Sequence, residues 1–169
     1  GVDLITHQHR VWFTRKVKNM LPSMTFVLGG AASGKSVFAE KMIVNSGLIP
    51  VYLATARIWD AEIKDRVQVH RDRRDAAWIN CEATHDLADT LRVRHAGEAV
   101  SIDCATMWLT NHVMDGTDLT QAQAALMQAL ADCAAPVVIV SNELGQGIVP
   151  ADADTRAFRE AQGRLNIAL

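Results

Sequence analysis

A chain of 169 residues with 49% hydrophobic content has the length for one domain with its own core and not for two. Its formal net charge of -2, from 17 basic and 19 acidic side chains scattered along the chain, gives no basic footprint of the kind nucleic acid requires. No apolar stretch approaches the roughly 20 residues of a membrane span, the N-terminus lacks a secretory h-region, and Cys81, Cys104 and Cys133 form no C-x-x-C pair; the expectation is reduced, buried thiols in a cytoplasmic protein.

Residues 1–23 are basic and end in Leu-Pro-Ser before Met24, so they read as an N-terminal extension ahead of a domain at 24–169. Within them "RVWFTRKVK" alternates β-branched and aromatic residues with basic ones, as a short strand does. From Met24 onward, short apolar runs alternate with longer segments of helical period, the pattern of βαβ units and a mostly parallel sheet. Strands are expected at "TFVL", "VYLAT", "AVSID" and "VVIVS", and helices over 35–45, 60–73, 85–94, 118–132 and 154–167. Gly47 and Gly97 stand where helices end, and Pro136 precedes the fourth strand.

The run "VLGGAASGKS" fits the phosphate-binding pattern G-x-x-x-x-G-K-[ST]. Gly29 and Gly34 let the backbone turn tightly, so that the N–H groups of Gly30, Ala31, Ala32 and Ser33 point at phosphate oxygens at the start of a helix. Lys35 is then expected to reach the β and γ phosphates, and Ser36 to offer a hydroxyl to Mg²⁺. The fold class is therefore α/β: a P-loop NTPase-like (RecA-like), mostly parallel β-sheet flanked by helices. Such a site also wants a carboxylate at the end of a neighbouring strand, and "AVSIDC" offers Asp103. A helix-capping aspartate is the alternative reading of Asp103. The guanine-reading N-K-x-D motif and the L-S-G-G-Q signature of transporter ATPases are both absent.

Further stretches narrow the acceptor. "GGAASGKS", "LATA", "RVQVHRDRR", "WINCE", "SNELGQGIVP" and "RAFREAQGRLN" follow in this order from Met24 to the end. As a set they make the chain resemble the bifunctional adenosylcobinamide kinase and adenosylcobinamide-phosphate guanylyltransferase family of cobalamin biosynthesis. The resemblance implies two reactions on one domain. A nucleoside triphosphate, ATP or GTP, phosphorylates adenosylcobinamide; GTP then guanylylates a histidine, and the GMP passes to the new phosphate to give adenosylcobinamide-GDP. The family's histidine falls on His70. The resemblance also implies nucleotide contacts from Thr55, Ala56, Arg57, Arg71, Asp72, Arg73, Arg74, Glu82 and Asp103, and a homotrimer with sites near subunit interfaces.

His70 can be weighed by its chemistry as well. An imidazole with an ordinary pKa of about 6.5 is mostly neutral, hence nucleophilic, at neutral pH, and Arg71, Arg73 and Arg74 supply positive charge for triphosphate oxygens. By its local sequence alone it reads as a solvent-facing residue of a charged helix. His7, His9, His85, His95 and His112 are expected at the surface, while Trp59, Trp78 and Trp108 suit either a core or the rim of a large flat ligand. Asn142 and Glu143 receive no catalytic role.

Two departures from the family pattern stand out. The family continues past the "GRLN" helix into a further strand, whereas this chain stops at Leu169; "RVWFTRKVK" is the spare strand-like stretch that would fill the vacant sheet position. Ala32 stands where family members often carry arginine. Two rival functions share the phosphate loop: a single-function small-molecule kinase, which has no use for His70, and a nucleotide-dependent switch without group transfer.

Overall fold

Strands β1 (Met24–Gly29), β2 (Ile49–Ala54), β3 (Ile79–Glu82), β4 (Glu98–Asp103) and β5 (Val137–Asn142) form one parallel sheet in the order β1-β5-β4-β2-β3. This is a computed structural model, and it describes residues 21–144 and 150–169. The "RVWFTRKVK" stretch, with the sheet position suggested for it, and residues 145–149 of "SNELGQGIVP" lie outside the described residues.

Three strands, β5, β4 and β2, lie inside the sheet. β5 (VVIVSN) and β4 (EAVSID) are buried along nearly their whole length, as strands covered by helices on both faces must be. Alternation along each strand then divides the core in two. Val51, Leu53, Val100, Ile102, Val137 and Ile139 pack with Leu87, Trp108, Leu126 and Leu165 on one face. Tyr52, Ala99, Val138 and Val140 pack with Ala39, Ile43 and Trp78 on the other.

The helices are α1 (Lys35–Ser46), α2 (Ala61–Asp72), α3 (Leu87–Arg92), α4 (Ala105–Met114), α5 (Leu119–Asp132) and α6 (Ala153–Ala168). Three of them start where an aspartate supplies a cap: Asp60, Asp118 and Asp152 accept from the backbone N–H of Ile63, Gln121 and Thr155. α1 ends at Gly47, whose φ of 72° takes the left-handed conformation glycine adopts without strain.

Two elements were not expected from sequence. β3 is a four-residue edge strand within "WINCE", and α4 follows Asp103 directly. α3 is also shorter than the expected 85–94 segment.

His112 corrects the surface expectation. It is 6% exposed within α4, its ring set edge-on to Trp108 at 4.5 Å and to His85 at 4.9 Å. Its Nδ1 lies 2.6 Å from Thr117 Oγ1. His85 is half-buried, with Nε2 2.8 Å from Asp115 Oδ2, and His95 is exposed. His7 and His9 lie outside the described residues. Trp78 and Trp108 belong to the core, whereas Trp59 is exposed beneath the Arg57 guanidinium. All three cysteines are unpaired; Cys104 is buried, but Cys81 and Cys133 are only partly so. No helix among the described residues is long and apolar enough to cross a membrane.

Candidate active site

Parallel pairing brings the C-terminal ends of the strands to one edge of the sheet. Gly29 is level with Asn142, and Ala54 is level with both Asp103 and Glu82. Loops at this edge are where open α/β sheets hold ligands. β5 separates β1 from β4, so Asp103 stands one strand further from the phosphate loop than a direct neighbour would.

The loop leaves β1 at Gly29 and enters α1 at Lys35. A Cβ on Gly29 would meet Ser33 Oγ at 2.7 Å, so a larger residue there would have to turn the Ser33 hydroxyl aside. Gly34 has φ 83° and Ala32 φ 55°; these left-handed positions turn the backbone into a concave nest at a helix N-terminus, where N–H groups and the helix dipole favour an anion. Lys35 Nζ donates to Gly30 O at 2.8 Å, folding the lysine over its own loop.

α2 delivers His70 in its last turn. Nδ1 of His70 lies 3.1 Å from Arg73 Nη2 and 3.7 Å from Asp103 Oδ2. Burial lowers the His70 pKa below 6.5, and Arg73 and Arg74 lower it further against the opposing pull of Asp103 and Glu40. The imidazole is therefore neutral at pH 7, the state a nucleophile needs.

Asp103 is held from the other side by Tyr52, whose hydroxyl donates to Oδ2 at 3.0 Å. Burial, reinforced by Asp103, pushes the Tyr52 phenol far above its ordinary range, so it remains a donor. Arg74 spans the group. Its guanidinium lies 3.5 Å from the Tyr52 ring centroid, its Nε donates to Asn80 Oδ1 at 2.9 Å, and its Nη1 donates to the His70 carbonyl at 2.7 Å.

One cavity of about 620 Å³ takes in both halves of the site. Of the residues expected from sequence, Ala31, Ala32, Ser33, Gly34, Lys35 and Ser36 line it from the loop side. Ala56, His70, Arg71, Arg73, Arg74, Glu82 and Asp103 line it from the other elements. Gly29 and Gly30 form the base of the loop.

Three expected residues face elsewhere. Thr55 is fully buried, its hydroxyl donating to Cys104 O and accepting from Cys104 N, both at 2.7 Å. Arg57 pairs with Asp115 at 2.6 Å, and Asp72 accepts from Gln68 at 2.6 Å.

Sequence reasoning passed over Tyr52, Asn80 and Met107, which also line the cavity, as does Asn142, given no catalytic role from sequence. Tyr52 carried one usable signal, since it is the sole tyrosine and sits in an otherwise apolar strand.

Among the described residues no cluster of three or more His, Cys, Asp or Glu side chains could hold a metal unaided. Ser36 and Asp103 nevertheless both face the cavity. One hydroxyl and one carboxylate, completed by phosphate oxygens and water, is a donor set that fits Mg²⁺, which keeps several waters when it binds.

A nest of backbone N–H groups opening a helix, a lysine and serine behind it, and a strand-end carboxylate across the cavity define a P-loop nucleotide-binding protein. The family model described as cobinamide kinase / cobinamide phosphate guanyltransferase matches residues 25–169, and the chain belongs to that family. It is 40% identical over 146 residues to the bifunctional adenosylcobalamin biosynthesis protein CobP of Pseudomonas aeruginosa, covering 85% of this chain and 84% of that protein. It is 36% identical over 159 residues to the bifunctional adenosylcobalamin biosynthesis protein CobU of Escherichia coli K12, covering 85% and 87%. Against the CobU protein of Salmonella typhimurium the identity is 37% over 160 residues, with the same coverage.

Proposed function

We propose that this chain phosphorylates adenosylcobinamide and then converts the product to adenosylcobinamide-GDP through a guanylylated His70. The observation that carries the reading is that His70 and a phosphate loop line one cavity. In the first reaction the corrinoid's hydroxyl oxygen attacks the γ-phosphorus of ATP or GTP and the nucleoside diphosphate leaves. In the second, His70 attacks the α-phosphorus of GTP; a P–N bond forms and pyrophosphate departs. A phosphate oxygen of adenosylcobinamide phosphate then displaces His70 from that phosphorus, and the nucleophile is regenerated.

The chain's own groups divide these tasks. The loop N–H groups and Lys35 hold the phosphates, and Glu82 is placed to accept from ribose hydroxyls or the guanine edge. Nδ1 of His70 faces Arg73 and Asp103, which leaves Nε2 as the attacking atom. Attack from Nε2 requires the proton on Nδ1, toward Asp103, with Arg73 turned away from the ring. Mg²⁺, held by Ser36 and Asp103 with the phosphates, would supply charge neutralisation at the transferring group. We further propose a homotrimer in the cytoplasm; the unpaired cysteines suit a reducing compartment, and sedimentation tests the assembly.

The deciding experiment incubates the protein with Mg²⁺ and GTP labelled at the α-phosphorus, then denatures it. Protein-bound label that is acid-labile and alkali-stable, absent from His70→Ala, is expected. His70→Ala should still phosphorylate adenosylcobinamide, because transfer of the γ-phosphoryl group has no use for the imidazole. Equal loss of both activities, or no label on the native chain, overturns the assignment and leaves a single-function kinase or a switch.

A further inference from the structure

Glu40 lies in the second turn of α1, is only 9% exposed, and does not line the cavity. Neither transfer step uses it. A carboxylate withdrawn from water costs several kcal/mol unless it is well paired, and Glu40 is paired twice through one oxygen. Its Oε1 accepts from Arg73 Nη2 at 3.2 Å and from Arg74 Nη1 at 3.4 Å.

Both partners come from the segment directly after His70, and both grip that residue. Arg73 Nη2 is 3.1 Å from the His70 ring and Arg74 Nη1 is 2.7 Å from the His70 carbonyl. Arg74 is itself fixed, its side chain 5% exposed between Tyr52 and Asn80. One carboxylate on the helix that opens at the phosphate loop is thus the common anchor of two guanidinium groups that hold the histidine by main chain and ring.

We propose that Glu40 is a positioning residue for GMP transfer: from α1 it anchors Arg74, which holds the His70 main chain relative to the phosphate loop, and it offers Arg73 a place off the imidazole ring. This rests on the reading of His70 as the guanylylated residue. Glu40 gives Arg73 a partner other than the ring, so that Nδ1 can carry the proton that attack from Nε2 requires. The charge on Glu40 also balances two cations that would otherwise crowd the imidazole.

The test is Glu40→Gln, which keeps the shape and removes the charge, assayed beside the native protein with GTP labelled at the α-phosphorus. At saturating GTP the labelling rate is expected to fall on the order of 10- to 100-fold, the usual effect of removing a partner that orients a reacting group. The half-saturating GTP concentration should not rise, since losing an anion near the cavity leaves it more attractive to a triphosphate. Phosphorylation of adenosylcobinamide should stay within about twofold of native, because Lys35 and Ser36 occupy the same helix and report any damage to it.

Labelling at the native rate overturns the proposal. So does parallel loss of both activities, which marks a merely structural glutamate, or a loss confined to GTP affinity. If E40Q does not fold, E40D, which keeps the charge on a shorter arm, carries the same comparison: slowed labelling with phosphorylation retained supports the positioning role, and native labelling or equal losses overturn it. A native protein that takes no label would instead overturn the GMP-transfer reading, and the positioning role with it.

Discussion

Tyr52 donates to the same Asp103 oxygen, Oδ2, that lies 3.7 Å from His70 Nδ1. The carboxylate that faces the phosphate loop across the cavity is therefore also the one that faces the histidine, and a buried phenol sets its orientation. Tyr52→Phe keeps the ring under Arg74 and deletes only the hydroxyl. A hydrogen bond to a charged group contributes about 1.5–3 kcal/mol. The expected outcome is a slowing of both phosphorylation and GMP transfer by about tenfold. A variant slowed in one reaction alone would show that Asp103 serves only that step; the two rates, measured on the same preparation, decide.

Lys35 is half-buried and folds onto Gly30 O in its own loop, so its removal should leave the fold intact. Lys35→Ala is expected to lower kcat/KM for both reactions between about tenfold and about a hundredfold, the equivalent of one lost charge-assisted bond to phosphate. The thermal midpoint should hardly move. A large drop in that midpoint would assign the lysine a structural part instead.

The phosphate loop was readable because its geometry is local: Gly29, Gly34, Lys35 and Ser36 act within eight residues, and their spacing alone encodes the turn. The four longer strands were readable for a similar reason, as short apolar runs between segments of helical period. β3 escaped because it is an edge strand of four residues, three of them exposed, and carries no apolar run. α4 escaped because it is buried around most of its circumference. Thr106, Asn111 and His112 are inside along with Trp108 and Leu109, so no amphipathic period marks it. Glu40 looks like any solvent-facing residue of an amphipathic helix, and its partners lie 33 and 34 residues away in the chain. His70 itself needed the family resemblance, since the Asp103 carboxylate beside it comes from a distant strand.

Thr55 ties the end of β2 to the start of α4 through both polar groups of Cys104. Thr55→Val fills the same volume but leaves the buried Cys104 N–H without a partner, at about 1–3 kcal/mol, and takes one of two donors from the Cys104 C=O, which keeps the Trp108 N–H. The expected loss is about 2–4 kcal/mol by denaturant unfolding, with activity falling only as far as folded protein is lost. If the hydroxyl instead contacts nucleotide, Thr55→Val will raise the half-saturating GTP concentration without a matching loss of stability.

Acid sensitivity of the fold should trace largely to His112. Burial, together with the His85 charge beside it, lowers its pKa below 6.5 against the opposing pull of the His85 backbone and Asp115. The unfolded chain therefore takes up a proton that the folded chain refuses as pH falls below about 6.5. Stability is fully present above that value and declines beneath it, with a limiting slope of about 1.4 kcal/mol per pH unit for one such proton. His70 shifts in the same direction and adds to the slope. His112→Gln removes one titrating group while leaving a polar partner for Thr117. It is expected to lower stability at neutral pH, through lost packing on Trp108, yet to flatten the decline between about pH 7.5 and about pH 5.5. Urea midpoints of the two proteins across that range supply the comparison. Parallel profiles would mean that His112 is protonated as readily in the folded chain as in the unfolded one, and that the acid-sensitive group lies elsewhere.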